Sequence, residues 1–185
     1  VAARRAGLMA IRPADHGIFA SSAGGATGAA YFAGGNPITA TVDKFAFPDD
    51  SRTTLGTGLS TARYALAGAA NSGVAAYFAG GNTASSTVTT VDKFVFSDDS
   101  RTTLGTGLAT ATRGLAGAAN SGTAAYFAGG TAASISTVNK FAFSDDSRTT
   151  LGTGLSTPNY YFAGAANSGT AAYFAGGYYG GALDR

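Results

Sequence analysis

The densest titratable groups in the chain are three pairs of adjacent carboxylates, Asp49–Asp50, Asp98–Asp99 and Asp145–Asp146, each followed by Ser and Arg. Two carboxylates share acid and base duties only when both face one reacting bond. Neighbours on an extended chain point to opposite sides. Asp-Asp-Ser is instead a turn sequence, whose side-chain oxygens accept nearby backbone N–H groups. The pairs are therefore expected in turns. No EF-hand or nonapeptide pattern surrounds them, so calcium is not expected. Arg52, Arg101 and Arg148 are expected to pair with these aspartates, locally or across units, with an anion-binding ring as the alternative. His16 is the single histidine. A Ser–His–Asp set would need it beside a serine and a carboxylate, and it is read as a loop or first-strand residue. Gly34–Gly35 and its copies lack the Gly-x-x-x-x-Gly-Lys of a phosphate loop. What remains is ligand binding by polar loops and tyrosines. The candidates are Asn82, Thr83 and Ser85 in one loop, Thr131 and Ser134 in another, and Tyr178 and Tyr179, whose rings could stack on sugars, as could Tyr160 and Tyr161. No catalytic residue, metal ligand or cofactor is expected.

The elements that position these groups come from an internal repeat. YFAGG ends at Gly35, Gly81, Gly130 and Gly177, with spacings of 46, 49 and 47 residues. DDSRTTLGTGL starts at Asp49, Asp98 and Asp145, and GAANSG at Gly68, Gly117 and Gly164. The length changes fall after YFAGG, which marks that segment as an exposed loop. Within one unit the patterning predicts four strands. They are Tyr64–Ala70, Val74–Ala79 after an Asn71–Ser72–Gly73 turn, Thr90–Phe96 after the variable loop, and a short Arg101–Leu104. Phe94 and Phe96 share a strand face, while Tyr77 and Phe78 face opposite ways. Phe45, Phe47, Phe94, Phe96, Phe141 and Phe143 are the expected large core residues. The units run 17–58, 59–107, 108–154 and, in part, 155–185, after an N-terminal segment 1–16.

Composition narrows the partners. Hydrophobic residues are 45% and charged residues 12%, with 28 glycines, so the core must be thin and closely layered. Net charge is +2, without a basic run, which disfavours nucleic acid. There is no cysteine, so no disulfide or thiolate site. No run of 18 apolar residues is present for membrane insertion. The apolar part of Val1–Ala10 is too short for a signal peptide.

Four short strands in about 48 residues is the size of a propeller blade. The unit resembles the kelch repeat: a strand ending in Gly80–Gly81, a variable loop, an aromatic at Phe94, a fourth strand at Thr102–Leu104, and an opening arginine at Arg63 or Arg113. The resemblance covers roughly Gly17 to Gly177. The family's tryptophan is replaced by Thr or Leu, and one unit opens with Pro158–Asn159. Ser97-x-Asp99-x-Arg101-x-Thr103-Leu104 is also similar to the Asp-box turn of sialidase-type propellers, where the motif is structural. The resemblance implies an all-β fold of about 3.5–4 four-stranded kelch-like β-propeller blades in tandem. In wording it is similar to kelch-like arrays of phage tail fibres and microbial surface proteins. The copper chemistry of some kelch-fold enzymes uses a cysteine-modified tyrosine, which a cysteine-free chain does not have.

Near-identical units without a distinctive polar cluster point away from an enzyme. The expected role is structural or adhesive, in a virion fibre or extracellular surface assembly. The alternative is a lectin-like module that binds surface glycans through its variable loops. Three full units, Gly17–Gly56, Arg63–Gly105 and Arg113–Gly152, precede two strands in Asn159–Gly177. A homo-oligomer or filament is therefore expected, with a four-bladed monomer, closed by a strand from Ala6–Arg12, as the alternative.

Overall fold

The computed structural model describes residues 19–21, 28–47, 49–131 and 135–179, and these are all-β. One four-stranded antiparallel sheet recurs three times, each with its strands hydrogen-bonded in chain order. The first sheet is β1 (Phe19–Ser21), β2 (Ala29–Ala33), β3 (Val42–Ala46) and β4 (Arg52–Thr54). The second is β5 (Ala67–Asn71), β6 (Ala75–Ala79), β7 (Val91–Val95) and β8 (Arg101–Thr103). The third is β9 (Ala116–Asn120), β10 (Ala124–Ala128), β11 (Val138–Ala142) and β12 (Arg148–Thr150). After them, β13 (Asn159–Tyr160) pairs with β16 (Tyr178–Tyr179), and β14 (Ala163–Asn167) forms a hairpin with β15 (Ala171–Ala175). The expected strands are present with trimmed ends. Tyr64 falls outside β5 because Ala65 takes a left-handed φ of 52°, which interrupts the extended chain. His16, the candidate closing strand Ala6–Arg12 and Ser134 lie outside the described residues.

The aspartate pairs are turn residues. Asp49, Asp98 and Asp145 accept, through Oδ1, the backbone N–H two residues on, at 3.1, 3.0 and 3.0 Å. The second aspartate of each pair, Asp50, Asp99 or Asp146, has φ between 55 and 58°. Asp tolerates this left-handed conformation better than most residues do.

Successive sheets pack against each other, and alternation along the second strand serves both sides. Tyr31 of the first sheet joins Phe78 and Phe94 of the second, with Val42, Leu59 and Leu66, in one buried cluster. Tyr77 of the second sheet joins Phe127 and Phe141 of the third, with Val91 and Leu108, in another. Each Tyr thus faces the following unit, and each Phe faces the preceding one. Phe96 stacks on Tyr31 at 4.8 Å, and Phe143 lies against Tyr77 at 5.2 Å. Of the six phenylalanines expected in the core, Phe94 and Phe141 are fully buried, while Phe45, Phe96 and Phe143 are half-buried. Phe47 corrects the expectation: it is 46% exposed, because no preceding tyrosine covers it among the described residues.

The sheets come close at their first strands, β5, β9 and β14. A Cβ at Gly117 would lie 2.2 Å from the Gly68 carbonyl oxygen, and one at Gly164 would lie 2.3 Å from that of Gly117. The adjoining turns form a ladder: Asn71 and Asn120 accept, through Oδ1, the backbone N–H of Gly122 and Gly169, each at 2.8 Å. Ser72 and Ser121 donate their N–H to the hydroxyls of Ser121 and Ser168 at 3.0 and 3.1 Å. GAANSG therefore encodes both a hairpin turn and the contact between units.

One ion pair is fully buried. Arg63 Nη2 lies 2.9 Å from Asp92 Oδ2, and both side chains have no exposed surface. Burial alone would raise the Asp92 carboxyl. The Thr103 hydroxyl, the Arg63 charge and the Ser60 N–H and hydroxyl outweigh it and hold the carboxyl below its usual range. The sequence alignment of Arg63 with Arg113 is corrected here. Counting from Leu59 and Leu108, whose N–H groups donate to Ala40 and Thr89, the residue at Arg63's position is Thr112. Where Thr112 replaces Arg63, Asn139 replaces Asp92, so both charges vanish together.

Two predictions follow from these contacts. Arg63→Thr and Asp92→Asn should each destabilise the fold by about 3–5 kcal/mol, since each strands a buried charge. The double variant, which carries the third unit's residues, should recover most of that loss in urea unfolding; additive losses would show the pair uncoupled. Gly117→Ala should cost about 1–3 kcal/mol through overpacking. Gly105→Ala, with nothing within 4 Å of its Cβ, should be near neutral in the same assay.

Candidate ligand-binding face

Two polar constellations recur on the frame of sheets. The first joins units. Tyr31 and Lys44 are cross-strand partners in the first sheet, and Tyr77 and Lys93 are partners in the second. Tyr31 donates its hydroxyl to Asp99 of the following unit, and Lys44 Nζ lies 2.9 Å from the same carboxylate. Tyr77 donates to Asp146 at 2.6 Å, and Lys93 Nζ lies 2.8 Å from it. Each ammonium also sits over its tyrosine ring, at 5.6 and 5.4 Å from the centroid. Burial, then the bond to the carboxylate, pushes both phenols above the ordinary tyrosine range.

The expected pairing of these aspartates with the following arginines is overturned. One aspartate of each pair caps its own turn, and Asp99 and Asp146 turn toward the preceding sheet. Arg52 instead lies 3.6 Å from Asp43, and Arg101 donates to the Gly58 carbonyl at 3.3 Å. These separate local partners give no support to an anion-binding arginine ring.

The second constellation gathers part of the expected ligand loops. Asn82 exchanges backbone hydrogen bonds with Tyr64, at 2.9 and 3.0 Å, and its Nδ2 donates to the Tyr64 hydroxyl at 3.3 Å. Thr83 closes the loop on itself: its Oγ1 accepts from the N–H of Ser85 and Ser86 and donates to the Ser86 carbonyl at 3.0 Å. Arg113 donates to the same Tyr64 hydroxyl at 3.0 Å and lies over that ring. The Arg113 carbonyl accepts the Thr131 N–H at 2.9 Å. Asn82, Thr83, Ser85 and Thr131 are thereby linked through Tyr64 and Arg113. Tyr178 is 57% exposed and stacks on Tyr160 at 5.8 Å with a 24° tilt. Tyr179 pairs with Asn159 through the backbone of β16. Tyr160 meets Tyr161 edge-on at 5.4 Å.

Tyr64 and Arg113 were missed as site residues. A signal was present, since each stands two residues before the leucine that follows the turn, Leu66 or Leu115, and Tyr160 stands likewise before Phe162. One repeat position thus carries Tyr, Arg and Tyr in succession. These flat side chains, beside loops rich in hydroxyls and amides, can stack on a ring and hydrogen-bond its edge. Among the described residues, no group of three or more His, Cys, Asp or Glu is placed to hold a metal ion.

The tyrosine–carboxylate contacts and the buried Asp92 imply a pH profile. The raised pKa of Tyr31 and Tyr77 means their contribution is complete below the ordinary tyrosine value of about 10 and is lost as pH rises beyond it. The lowered pKa of Asp92 means its contribution is present above the ordinary Asp value of about 4 and is lost as pH falls through the folded-state value. The urea midpoint should be flat from about pH 5 to 9 and drop on both sides, with Tyr31→Phe/Tyr77→Phe flattening the alkaline limb. An unchanged alkaline limb in that variant would contradict the assignment. No protein-family model matches this chain, and no curated protein matches it.

Proposed function

We propose that this chain is a structural or adhesive repeat module that self-associates through its terminal units. The carrying observation is that the repeated polar groups are engaged in joining one unit to the next. Asp99 and Asp146 each hold a tyrosine and a lysine of the preceding unit, and Asn71 and Asn120 each hold the next turn. Units built to grip their neighbours carry complementary groups on opposite faces, so one copy can receive another. Among the described residues Asp50, Tyr126 and Lys140 have no such partner. The arrangement proposed for the sheets is that of kelch-like propeller blades. Their chain-order meanders and close first strands support this reading. A cysteine-free surface dominated by Thr, Ser and Gly suits a virion fibre or an extracellular assembly. Head-to-tail contact of such ends gives a ring if the rotation closes and a filament if it does not.

A lectin-like reading is favoured by one observation: an exposed Tyr178 stacked on Tyr160, at the repeat position that Tyr64 and Arg113 also occupy. It would use no cofactor, and neither nucleic acid nor a membrane is an expected partner.

Sedimentation velocity across a concentration series tests the first reading. A species larger than one chain, growing with concentration, is the expected result, and a sharp single-chain species that persists on concentration contradicts it. A glycan array tests the second: saturable binding should be lost in Tyr178→Ala, and binding that survives that change would reject this face.

A further inference from the structure

Arg113 is a cation held by an aromatic residue instead of by a carboxylate. Lys44, Lys93, Arg63 and Arg52 each face a carboxylate, at 2.9, 2.8, 2.9 and 3.6 Å. Arg113 faces none among the described residues. Its Nη1 donates to the Tyr64 hydroxyl at 3.0 Å, and its guanidinium lies 5.9 Å from the centre of that ring. Its Nε is buried without a partner, while its Nη2 has no partner among the described residues and is not buried. The Tyr64 oxygen accepts from both Arg113 and Asn82 Nδ2, at 3.0 and 3.3 Å, and its own O–H has no acceptor among the described residues. Asn82 Nδ2 also donates to the Thr83 carbonyl at 2.8 Å. A carbonyl only accepts, so this bond fixes the amide's orientation. It leaves Oδ1 without a donor among the described residues. All three side chains are half-buried. The cluster thus offers a guanidinium edge and a phenol O–H as donors, with one amide oxygen as acceptor.

We propose that Tyr64, Asn82 and Arg113 form a subsite for the carboxylate of an acidic sugar, of the uronic acid class. The carboxylate lies against Arg113 Nη2 and takes the Tyr64 O–H. A hydroxyl of the sugar ring donates to Asn82 Oδ1. A carboxylate only accepts, so it matches a pair of donors. A charged acceptor also makes the stronger bond with a guanidinium. A neutral sugar would leave the cation without a counter-charge. The hydrogen bond and the ring contact hold Arg113 in place before a ligand arrives, which lowers the entropy lost on binding. The assignment rests on the lectin-like reading, and names the ligand class and the residues that select it.

The test is calorimetric titration of the full chain with tetragalacturonate and with its methyl ester, which keeps the rings and removes the charge. Saturable binding of the acid is expected, with the ester weaker by about tenfold, as loss of a charge-assisted bond implies. Arg113→Gln should weaken the acid as much and erase the preference for it over the ester, because both changes remove one interaction. Tyr64→Phe keeps the ring under Arg113, removes the O–H, and should weaken the acid several-fold. The ester leaves the protein untouched, so the result does not depend on either variant folding. Acetate at equal carboxylate concentration should not displace the tetramer; displacement would overturn the assignment to a sugar. No binding of the acid, equal binding of acid and ester, or a preference that survives Arg113→Gln overturns the proposal. The two readings fail separately. A chain that binds neutral glycans through Tyr178 without preferring the acid retains the lectin-like reading and loses this subsite. A chain that prefers the acid through Arg113 and ignores Tyr178→Ala keeps the subsite and loses the Tyr178 face.

Discussion

At Gly117 the backbone of the third unit comes so near the Gly68 carbonyl that no side chain fits between them. The same contact recurs from Gly164 to Gly117. This spacing between first strands is the constraint on which the other contacts depend. It lets the turn amides reach the asparagines of the unit before, and lets a tyrosine on one sheet reach an aspartate on the next. It also explains the composition. Where backbones nearly touch, as at Gly68, Gly117 and Gly164, the strands hold Ala and Gly, and the large rings pack on the second and third strands.

Much of this was legible in the sequence. The period, the four strands, the Asp-Ser turns and the opposite facing of Tyr77 and Phe78 followed from alternation and turn chemistry. Those are local rules, and each repeat states them again. What the sequence hid was the partner of each polar group. Asp99 lies two residues from Arg101 yet pairs with Lys44, 55 positions away, because a left-handed turn residue aims its carboxylate at the preceding sheet. Arg63 looked like the counterpart of Arg113 until the Leu59 and Leu108 contacts fixed the register one residue away. A shift of one position exchanges a buried cation for an arginine that lies over the Tyr64 ring, so small misalignments carry large chemical error.

The candidate ligand face was only partly legible for the same reason. Loop length variation pointed to Asn82, Thr83, Ser85 and Thr131, but Tyr64 and Arg113, which tie them together, sit at the mouth of a strand. Their shared repeat position becomes meaningful only once the sheets are stacked. The two constellations lie on one scaffold without competing: inter-unit contacts set the frame, and the loops decorate it.

In a chain of this kind stability is a property of the interfaces more than of the single sheets. Native-state hydrogen exchange tests that claim most directly, because it reads protection strand by strand. The slowest exchange is expected in β6, which is buried along its whole length with a sheet on either side, with the turn amides of Gly122 and Gly169 slowed by their asparagine partners. The fastest strand exchange is expected in β15. Equal protection in all four hairpins, or greatest protection in β15, would contradict that claim.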